Sequence, residues 1–484
     1  MITGTSPWPH LAVDTARRLT PPAHSPRFPR RLCQPSQAAM KIAYIASGAA
    51  GMYCGMCLHD NTLAAALLAA GQDVLLIPTY TPIKTDEVNV SEERVFFGGI
   101  NVYLQQKSSV FRHTPWSFDR VLDARPLMKF LATRRGTVDP TRLGDMTVSM
   151  LQGEHGRQKK ELEKLLRWLE QDVQPDLVHL SNAMLIAMAP AMRQRLGCPV
   201  VCSLSGEDVF LERITEPHYS QARNLLREHG AQAQAYVALN RYYADFMIDY
   251  MDLPPERVHV VAHGLNLDGH APQPRSQARG AADEVTIGYF ARICQDKGLH
   301  LLVDAFIQLC RDTSLPPLRL KAAGYCSKGD QAFLAQQLAK LREAGLADRF
   351  EYLGEPDRED KIAIIQSFDL MSVPTVYRES KGLSILEAMA NGIPVVQPAH
   401  GTFPELIDDT GAGLLFEPLS VQTLADALRQ LIRDPDLAHH CGRQGHTAVR
   451  ERYHAGAMAQ QTIDLYGRVL DEHFGTRAKE LSEA

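Results

Sequence analysis

The chain has 484 residues, more than one hydrophobic core usually supports, so two domains are expected. Its 45% hydrophobic and 22% charged residues are typical of a globular protein, and a formal net charge of −5 argues against a nucleic-acid binder that works by whole-surface attraction. No apolar run approaches the roughly 20 residues that span a bilayer. Nine scattered cysteines, odd in number, indicate reduced thiols in the cytoplasm rather than a disulfide framework.

Residues 1–39 differ in composition from everything that follows. They hold many prolines, five arginines and a single acid, Asp14, with little apolar periodicity. We predict a disordered N-terminal extension. An organellar transit peptide is one alternative, which the prolines oppose, and a true start at Met40 is another.

Short apolar segments then alternate with helical ones, as in a parallel α/β domain. Buried strands are predicted at residues 41–47, 73–80, 176–181, 199–204, 235–240 and 257–263, and helices between them, for example at 62–70, 159–170 and 242–251. Residues 40–268 are therefore predicted to form a doubly wound domain.

A second α/β pattern follows a change in composition. Residues 269–284, rich in Pro, Gly, Ala and charge, are predicted to be a linker. Strands are predicted at 285–290, 318–323, 350–353, 370–373 and 394–397, with helices at 299–310 and 331–344 among others, which gives a second domain at 285–455. An amphipathic helix at 456–475 and a disordered tail at 476–484 complete the prediction.

The segment R-E-S-K-G-L-S-I-L-E-A-M-A-N at residues 378–391 contains the strongest functional signal. It leaves a predicted buried strand as a loop and enters a helix, with Ser384 as a possible cap and Gly382 allowing close backbone approach. The free amides and dipole of a helix N-terminus suit a phosphate. Two carboxylates, Glu379 and Glu387, lie on either side of this position.

The spacing of these glutamates, with K-G-L-S between them, resembles the signature of retaining glycosyltransferases of the GT-B fold, and is closest to glycosyltransferase family 4. The segments Gly401-x-x-Pro404-Glu405 and Gly411-x-Gly413 extend the resemblance. It implies an α/β protein of two doubly wound Rossmann-like domains facing a central cleft. The first domain would take the acceptor and the second the nucleotide sugar, and the last helix would return to pack on the first domain.

The resemblance also implies roles for residues of the second domain. Arg292 and Lys297 would bind the donor diphosphate, and Glu387 would accept hydrogen bonds from the ribose. Glu379 would orient the transferred sugar and stabilise an oxocarbenium-like transition state. The remaining donor-binding residues implied are Gly354 beside the base, and Lys381, Gly382, Leu383 and Ser384 at the phosphates.

Fewer residues of the first domain match the family pattern. The expected acceptor-side residues are Gly51 in a glycine-rich loop, His59 and Asp60 just after it, and Ser205, Glu207 and Asp208 in the segment S-L-S-G-E-D, where Ser205 replaces the family's histidine. The pair Cys54 and Cys57 suggests a redox or zinc site, but no second ligand pair accompanies it, so simple packing in a tight loop is the favoured interpretation.

The resemblance therefore implies a retaining glycosyltransferase that uses a nucleoside-diphosphate sugar as co-substrate, with no cofactor and no metal. The acceptor would be a glycan, a lipid-linked molecule or a small molecule. The alternatives are a non-catalytic nucleotide-sugar or polysaccharide-binding protein, and a GT-B phosphorylase or epimerase.

Residues 111–135 interleave aromatic and basic side chains, which suits peripheral docking on an anionic membrane. The favoured alternative for this segment is a mobile wall over the acceptor cleft with its aromatic rings packed inward, because Pro115 and Pro126 interrupt any long amphipathic helix. A cytoplasmic location, with or without membrane contact, is expected.

Overall fold

The computed structural model describes residues 39–48, 54–92, 95–97 and 143–483. The predictions for residues 1–38, for Gly51 and for residues 111–135 fall outside the described residues. They remain predictions from the sequence.

The first domain contains a parallel six-stranded sheet. Its strands are β1 (Lys41–Ala46), β2 (Asp73–Pro78), β3 (Leu177–Leu180), β4 (Val200–Leu204), β5 (Ala235–Ala238) and β6 (Val258–Val260), in the order β2-β1-β3-β4-β5-β6. β1, β3, β4 and β5 are covered on both faces, which explains why they are apolar runs in the sequence. The strand order reverses between β1 and β3, and such a reversal opens a crevice at the carboxyl ends of the strands.

Helices cover both faces of this sheet. They are α1 (Gly55–Ala69), α2 (Gly144–Leu151), α3 (Lys159–Trp168), α4 (Ala189–Leu196), α5 (Glu207–Leu211), α6 (His218–His229) and α7 (Arg241–Met251). Helix α1 begins at Gly55, earlier than the predicted residue 62. One apolar core lies on each face of the sheet.

The second domain repeats the architecture. Its strands are β7 (Val285–Phe290), β8 (Leu318–Ala323), β9 (Phe350–Tyr352), β10 (Leu370–Met371), β11 (Val395–Pro398) and β12 (Gly413–Phe416), in the order β12-β11-β10-β7-β8-β9, all parallel. Strand β12 was not predicted. The reversal here falls between β7 and β10, so the loops after these two strands meet at one edge of the sheet.

The helices of the second domain are α8 (Leu299–Cys310), α9 (Gln331–Glu343), α10 (Arg358–Gln366), α11 (Leu383–Ala390), α12 (Phe403–Thr410), α13 (Val421–Arg433) and α14 (Pro435–Arg452). Residues 269–284, predicted to be a linker, contain neither helix nor strand and lie along this domain. Arg275, for example, donates to the Asp369 carboxylate at 2.7 Å. The segment is thus fastened to the second domain by its own side chains.

The last helix, α15 (Ala455–Glu483), packs on the first domain. Met458, Ile463 and Tyr466 are buried in the same apolar cluster as Tyr44 and Leu67. Its backbone remains helical to Glu483, where a disordered tail from residue 476 was predicted. The reason is local, because R-A-K-E-L-S-E is rich in good helix formers. Within the described ranges, no helix is long and apolar enough to cross a membrane.

Candidate active site

The backbone of the loop after β7 packs closely against the backbone of the loop after β10. Gly298 has φ +77°, and a Cβ there would lie 1.8 Å from the carbonyl oxygen of Pro374 in the loop after β10. Only glycine fits such a position. The short helical turn Gln295–Lys297 is therefore pressed against the neighbouring loop. This contact brings the side chain of Lys297 to Glu379.

Lys297, Tyr377 and Glu379 form a compact polar cluster. Lys297 Nζ lies 2.5 Å from Glu379 Oε2 and 2.5 Å from the Tyr377 hydroxyl, which itself donates to Glu379 Oε2 at 2.7 Å. The side chains of Lys297 and Glu379 are 19% and 13% exposed. Burial alone would raise the pKa of Glu379, but Lys297 and Tyr377 outweigh it and lower that pKa to about 2. The carboxylate therefore stays ionised at neutral pH.

Arg292 stands at the start of the same loop with its side chain exposed. Burial and the Glu379 carboxylate raise the pKa of Tyr377, and the charge of Arg292 opposes that rise. Arg292 is therefore within electrostatic range of Tyr377. The structure thus brings Arg292, Lys297 and Glu379 together at the edge where β7 and β10 end.

The N-terminus of α11 completes this edge. Gly382, with φ +70°, occupies the position before the helix and supplies no side-chain cap, so the prediction of Ser384 as the cap is wrong. The N–H groups of Leu383 and Ser384 belong to the first turn and have no carbonyl one turn earlier to bond. Across the cleft, Gly55 opens α1, and a Cβ there would lie 3.7 Å from Leu383 Cδ2. Two helix N-termini therefore face each other, which favours an anion between them.

Glu387 lies inside α11 and is buried. Its Oε1 is 2.7 Å from Lys361 Nζ on α10, and Lys361 also contacts Asp86 Oδ2 of the first domain at 2.5 Å. The sequence reasoning missed Lys361 and Asp86. It also missed Tyr377, although the two-residue spacing from Glu379 places both side chains on one side of an extended loop.

Gly354 follows β9 and has φ +71°. Its carbonyl accepts the N–H of Gly324 at 2.7 Å, and a Cβ on Gly324 would lie 2.0 Å from the carbonyl oxygen of Ala291, next to Arg292. A Cβ on Gly354 itself would meet no atom within 4 Å. This residue therefore lies on the same edge as the charged cluster and leaves open space beside it.

Several contacts join the two domains across the cleft. Lys381 donates to the backbone carbonyl of Ser205, and Asn240 Nδ2 donates to the carbonyl of Ser380 at 2.6 Å. The Glu405 carboxylate accepts the N–H groups of Arg241 and Tyr242, at 3.0 and 2.9 Å. It thereby caps α7 of the first domain, where a negative charge is stabilising. Neither the contact of Asn240 with Ser380 nor the capping of α7 by Glu405 was predicted from the sequence.

The predicted acceptor-side residues lie mainly below the cleft surface. His59 and Asp60 are only 4% and 1% exposed. His59 Nδ1 lies 2.7 Å from His263 Nδ1, and Asp60 accepts a hydrogen bond from Tyr44 at 2.8 Å. Both side chains face the interior and are already bonded there, and their expected contact with the acceptor stays a prediction.

Glu207 and Ser205 are also buried. Glu207 accepts the backbone N–H groups of Ala183 and Ser205, at 2.8 and 2.9 Å, which fixes the loop after β4. Asp208 is half-buried and accepts from the Tyr243 hydroxyl at 2.8 Å. Of this group, Ser205 reaches the cleft, through its carbonyl contact with Lys381. The expected roles of Ser205, Glu207 and Asp208 on the acceptor side stay predictions.

Cys54 immediately precedes α1, and Cys57 lies in its first turn. A hydrogen bond from Cys57, together with the charge of Lys381, lowers the pKa of the Cys54 thiol to about 5. The bond to Cys54 and burial raise the pKa of Cys57. Both cysteines are free, with Cys54 half-buried and Cys57 buried, and their pKa values move in opposite directions.

Two family models match this chain. The model described as glycosyl transferases group 1 matches residues 273–448, and that described as glycosyltransferase family 4 matches residues 130–268. Together they cover well over half of the sequence. The first matches the domain that carries the charged cluster, and the second lies within the first domain.

Curated relatives include proteins named D-inositol 3-phosphate glycosyltransferase. The one from Saccharomonospora viridis is 28% identical over 254 residues, which are 51% of this chain and 58% of the relative. The one from Nocardioides sp. is 28% identical over 329 residues, 61% of this chain and 68% of the relative. The match spans little more than half the length of the first of these relatives.

Solved structures share the fold. HepE of Anabaena, crystallised with UDP and glucose, aligns with a TM-score of 0.59 at 19% identity over 89% of this chain and 100% of its own. Sucrose-phosphate synthase from Thermosynechococcus elongatus aligns with a TM-score of 0.64 at 19% identity over 89% of this chain and 99% of its own. At this identity the likeness concerns the fold alone, and it confirms the predicted GT-B architecture.

Proposed function

Because the chain belongs to glycosyltransferase family 4, we propose that it transfers a sugar from a nucleoside-diphosphate donor to an acceptor hydroxyl with retention of anomeric configuration. The observation that carries this proposal is the convergence of Arg292, Lys297 and an ionised Glu379 at one strand edge, beside the N-terminus of α11 and facing that of α1. The positive side chains would stabilise the departing diphosphate, and the carboxylate would stabilise the positive charge that develops on the sugar.

The donor would lie across the edge where β7 and β10 end. Its diphosphate would meet Arg292, Lys297 and the first-turn amides of α11, and its base would lie beside Gly354. Glu387 would accept the ribose hydroxyls. Because curated relatives are named D-inositol 3-phosphate glycosyltransferase, an inositol phosphate is the first acceptor to test. UDP is the first nucleotide to test, because the HepE crystal contains it.

In the proposed step the bond between the anomeric carbon and the diphosphate oxygen breaks, and its electron pair leaves with the diphosphate. Lys297 and Arg292 stabilise the charge that develops there. The acceptor oxygen attacks the same face of the sugar, and its proton passes to the departing phosphate oxygen. Glu379 stays ionised and stabilises the positive charge on the sugar ring without forming a bond to it.

A screen of nucleotide sugars tests the proposal. A donor that binds the folded state should raise the melting temperature of the protein, and the donor identified in this way should be hydrolysed slowly without acceptor. With an acceptor, proton NMR of the product should show the same anomeric configuration as the donor. An inverted product, or no shift with any nucleotide sugar, would contradict the proposal.

Two variants separate the roles of the carboxylates. Glu387→Gln should weaken binding of the free nucleoside diphosphate, whereas Glu379→Gln should leave that binding near normal and depress transfer. Glu359→Gln, on the exposed surface of α10, is the matched control and should change neither. Equal effects of the first two variants on diphosphate binding would refute this division of roles.

A further inference from the structure

A buried ammonium group lies between two carboxylates from different domains. Lys361 on α10 contacts Glu387 on α11 at 2.7 Å and Asp86, in the loop after β2, at 2.5 Å. The side chains of Lys361, Glu387 and Asp86 are 5%, 4% and 11% exposed. Burial would lower the pKa of Lys361, but the two carboxylates outweigh it and raise that pKa, so the group stays charged.

The cluster holds more negative than positive charge. One ammonium faces two carboxylates, and the adjoining pair of Arg358 and Glu87, 3.4 Å apart, is neutral in sum. In addition, Asp86 Oδ1 is buried and has no hydrogen-bond partner among the described residues. Buried acceptors without donors are costly. The arrangement is therefore short of hydrogen-bond donors, and vicinal hydroxyl groups of a ligand could supply them.

We infer that Lys361 is a positioning residue for the ribose of the donor, an inference that rests on the proposed role of Glu387. The ammonium holds the Glu387 carboxylate in place and leaves oxygen lone pairs for the ribose hydroxyls, since a carboxylate offers about four acceptor sites. Asp86 contacts the same ammonium group. Because Asp86 belongs to the first domain, ribose binding in the second domain depends on the approach of the first.

The inference differs from a purely structural role in one measurable respect. If Lys361 acts through Glu387 on the ribose, its removal should affect only ligands that carry ribose hydroxyls. A general loosening of α10 would weaken every nucleotide equally. The probe is therefore a pair of ligands: whichever of UDP, GDP and ADP gives the largest thermal shift, and its 2′,3′-dideoxy analogue.

Isothermal titration of the full chain with both ligands tests the inference. Lys361→Met should weaken binding of the ribonucleotide roughly 10- to 100-fold, the usual range for hydrogen bonds to charged groups, and leave the dideoxy analogue unchanged. Lys361→Arg should restore part of the loss. Lys340→Met, which removes a half-buried pair with Asp304 in the same domain, is the matched control and should change neither titration.

Asp86→Asn keeps the shape of the side chain and is the second test should Lys361→Met fail to fold. It should also weaken the ribonucleotide selectively, by a smaller factor. Equal losses for the two ligands, or no loss, in the Lys361 and Asp86 variants would overturn the inference. If Glu387→Gln itself fails to discriminate between the ligands, the proposed ribose contact is wrong. If Glu387→Gln discriminates and the Lys361 variants do not, only the present inference fails.

Discussion

Replacing Lys297 by methionine should show how much its ion pair with Glu379 contributes to the free energy of unfolding. A carboxyl whose pKa falls from 4.5 to about 2 is stabilised in its ionised form by about 3 kcal/mol, since one pH unit corresponds to about 1.4 kcal/mol. Lys297 is the largest cause that opposes burial there. We therefore expect Lys297→Met to reduce the free energy of unfolding at pH 7 by about 3 kcal/mol, as removal of one partner of a buried pair usually does.

This loss should depend on pH with a definite sign. The pKa of Glu379 is depressed in the folded state, so the stability it contributes is complete above about pH 5 and is lost as the pH falls toward 2. The difference between parent and variant should shrink by about 1 kcal/mol between pH 7 and pH 4. Urea unfolding followed by circular dichroism at pH 7, 5.5 and 4 measures it.

Lys340→Met serves as the control, because its pair with Asp304, with side chains 32% and 33% exposed, is more open to solvent and should contribute only about 1 kcal/mol. The reasoning fails if the Lys297 variant loses no more stability than this control. It also fails if the difference between parent and variant is the same at every pH.

Three further outcomes are expected. Arg292→Ala should reduce turnover roughly 10²- to 10³-fold with little change in melting temperature, since the side chain is exposed; unchanged turnover would remove it from the site. Iodoacetamide at pH 6.5 should alkylate Cys54 in preference to Cys57, as peptide mass mapping would reveal, because the two pKa values move apart; equal labelling would contradict the asymmetry. The favoured inward packing of residues 111–135 predicts that the protein stays in the supernatant with anionic vesicles at low salt, whereas co-sedimentation abolished by changing Arg134 and Arg135 to Glu would support membrane docking.

The sequence predicts where the charged residues lie because each of them directly follows a predicted strand. Arg292 and Lys297 come directly after one predicted strand, and Glu379 follows another. Parallel strands end at the same edge, so residues after two neighbouring strands meet. That β7 and β10 are neighbours is a matter of strand order, which the hydrophobic pattern alone does not determine.

Lys361 could not be found in this way. It lies in the run R-E-D-K at the start of α10, and such a run is normally a solvated helix face. Arg358 is half-buried and Glu359 and Asp360 are exposed, as expected. Lys361 is buried because the loop that carries Asp86, 275 residues earlier in the chain, closes over it. A contact of that separation leaves no trace in the local pattern.

The burial of His59 has a signal in the sequence, which the prediction of a helix start at residue 62 missed. Once α1 is extended back to Gly55, His59, Leu63 and Leu67 recur every four residues and share one face of the helix. Leu63 and Leu67 are buried, so His59 must be buried with them. It then needs a polar partner, which His263 provides at 2.7 Å.

Burial lowers the pKa of His263 to about 3 and that of His59 below its usual range, so both rings are neutral, and one Nδ1 donates to the other. A neutral donor–acceptor pair of this kind fastens α1 to the segment that precedes residues 269–284. His59, one of the residues expected on the acceptor side, therefore also stabilises the fold of the first domain. Lys381, by contrast, reaches the cleft, where it donates to the backbone carbonyl of Ser205.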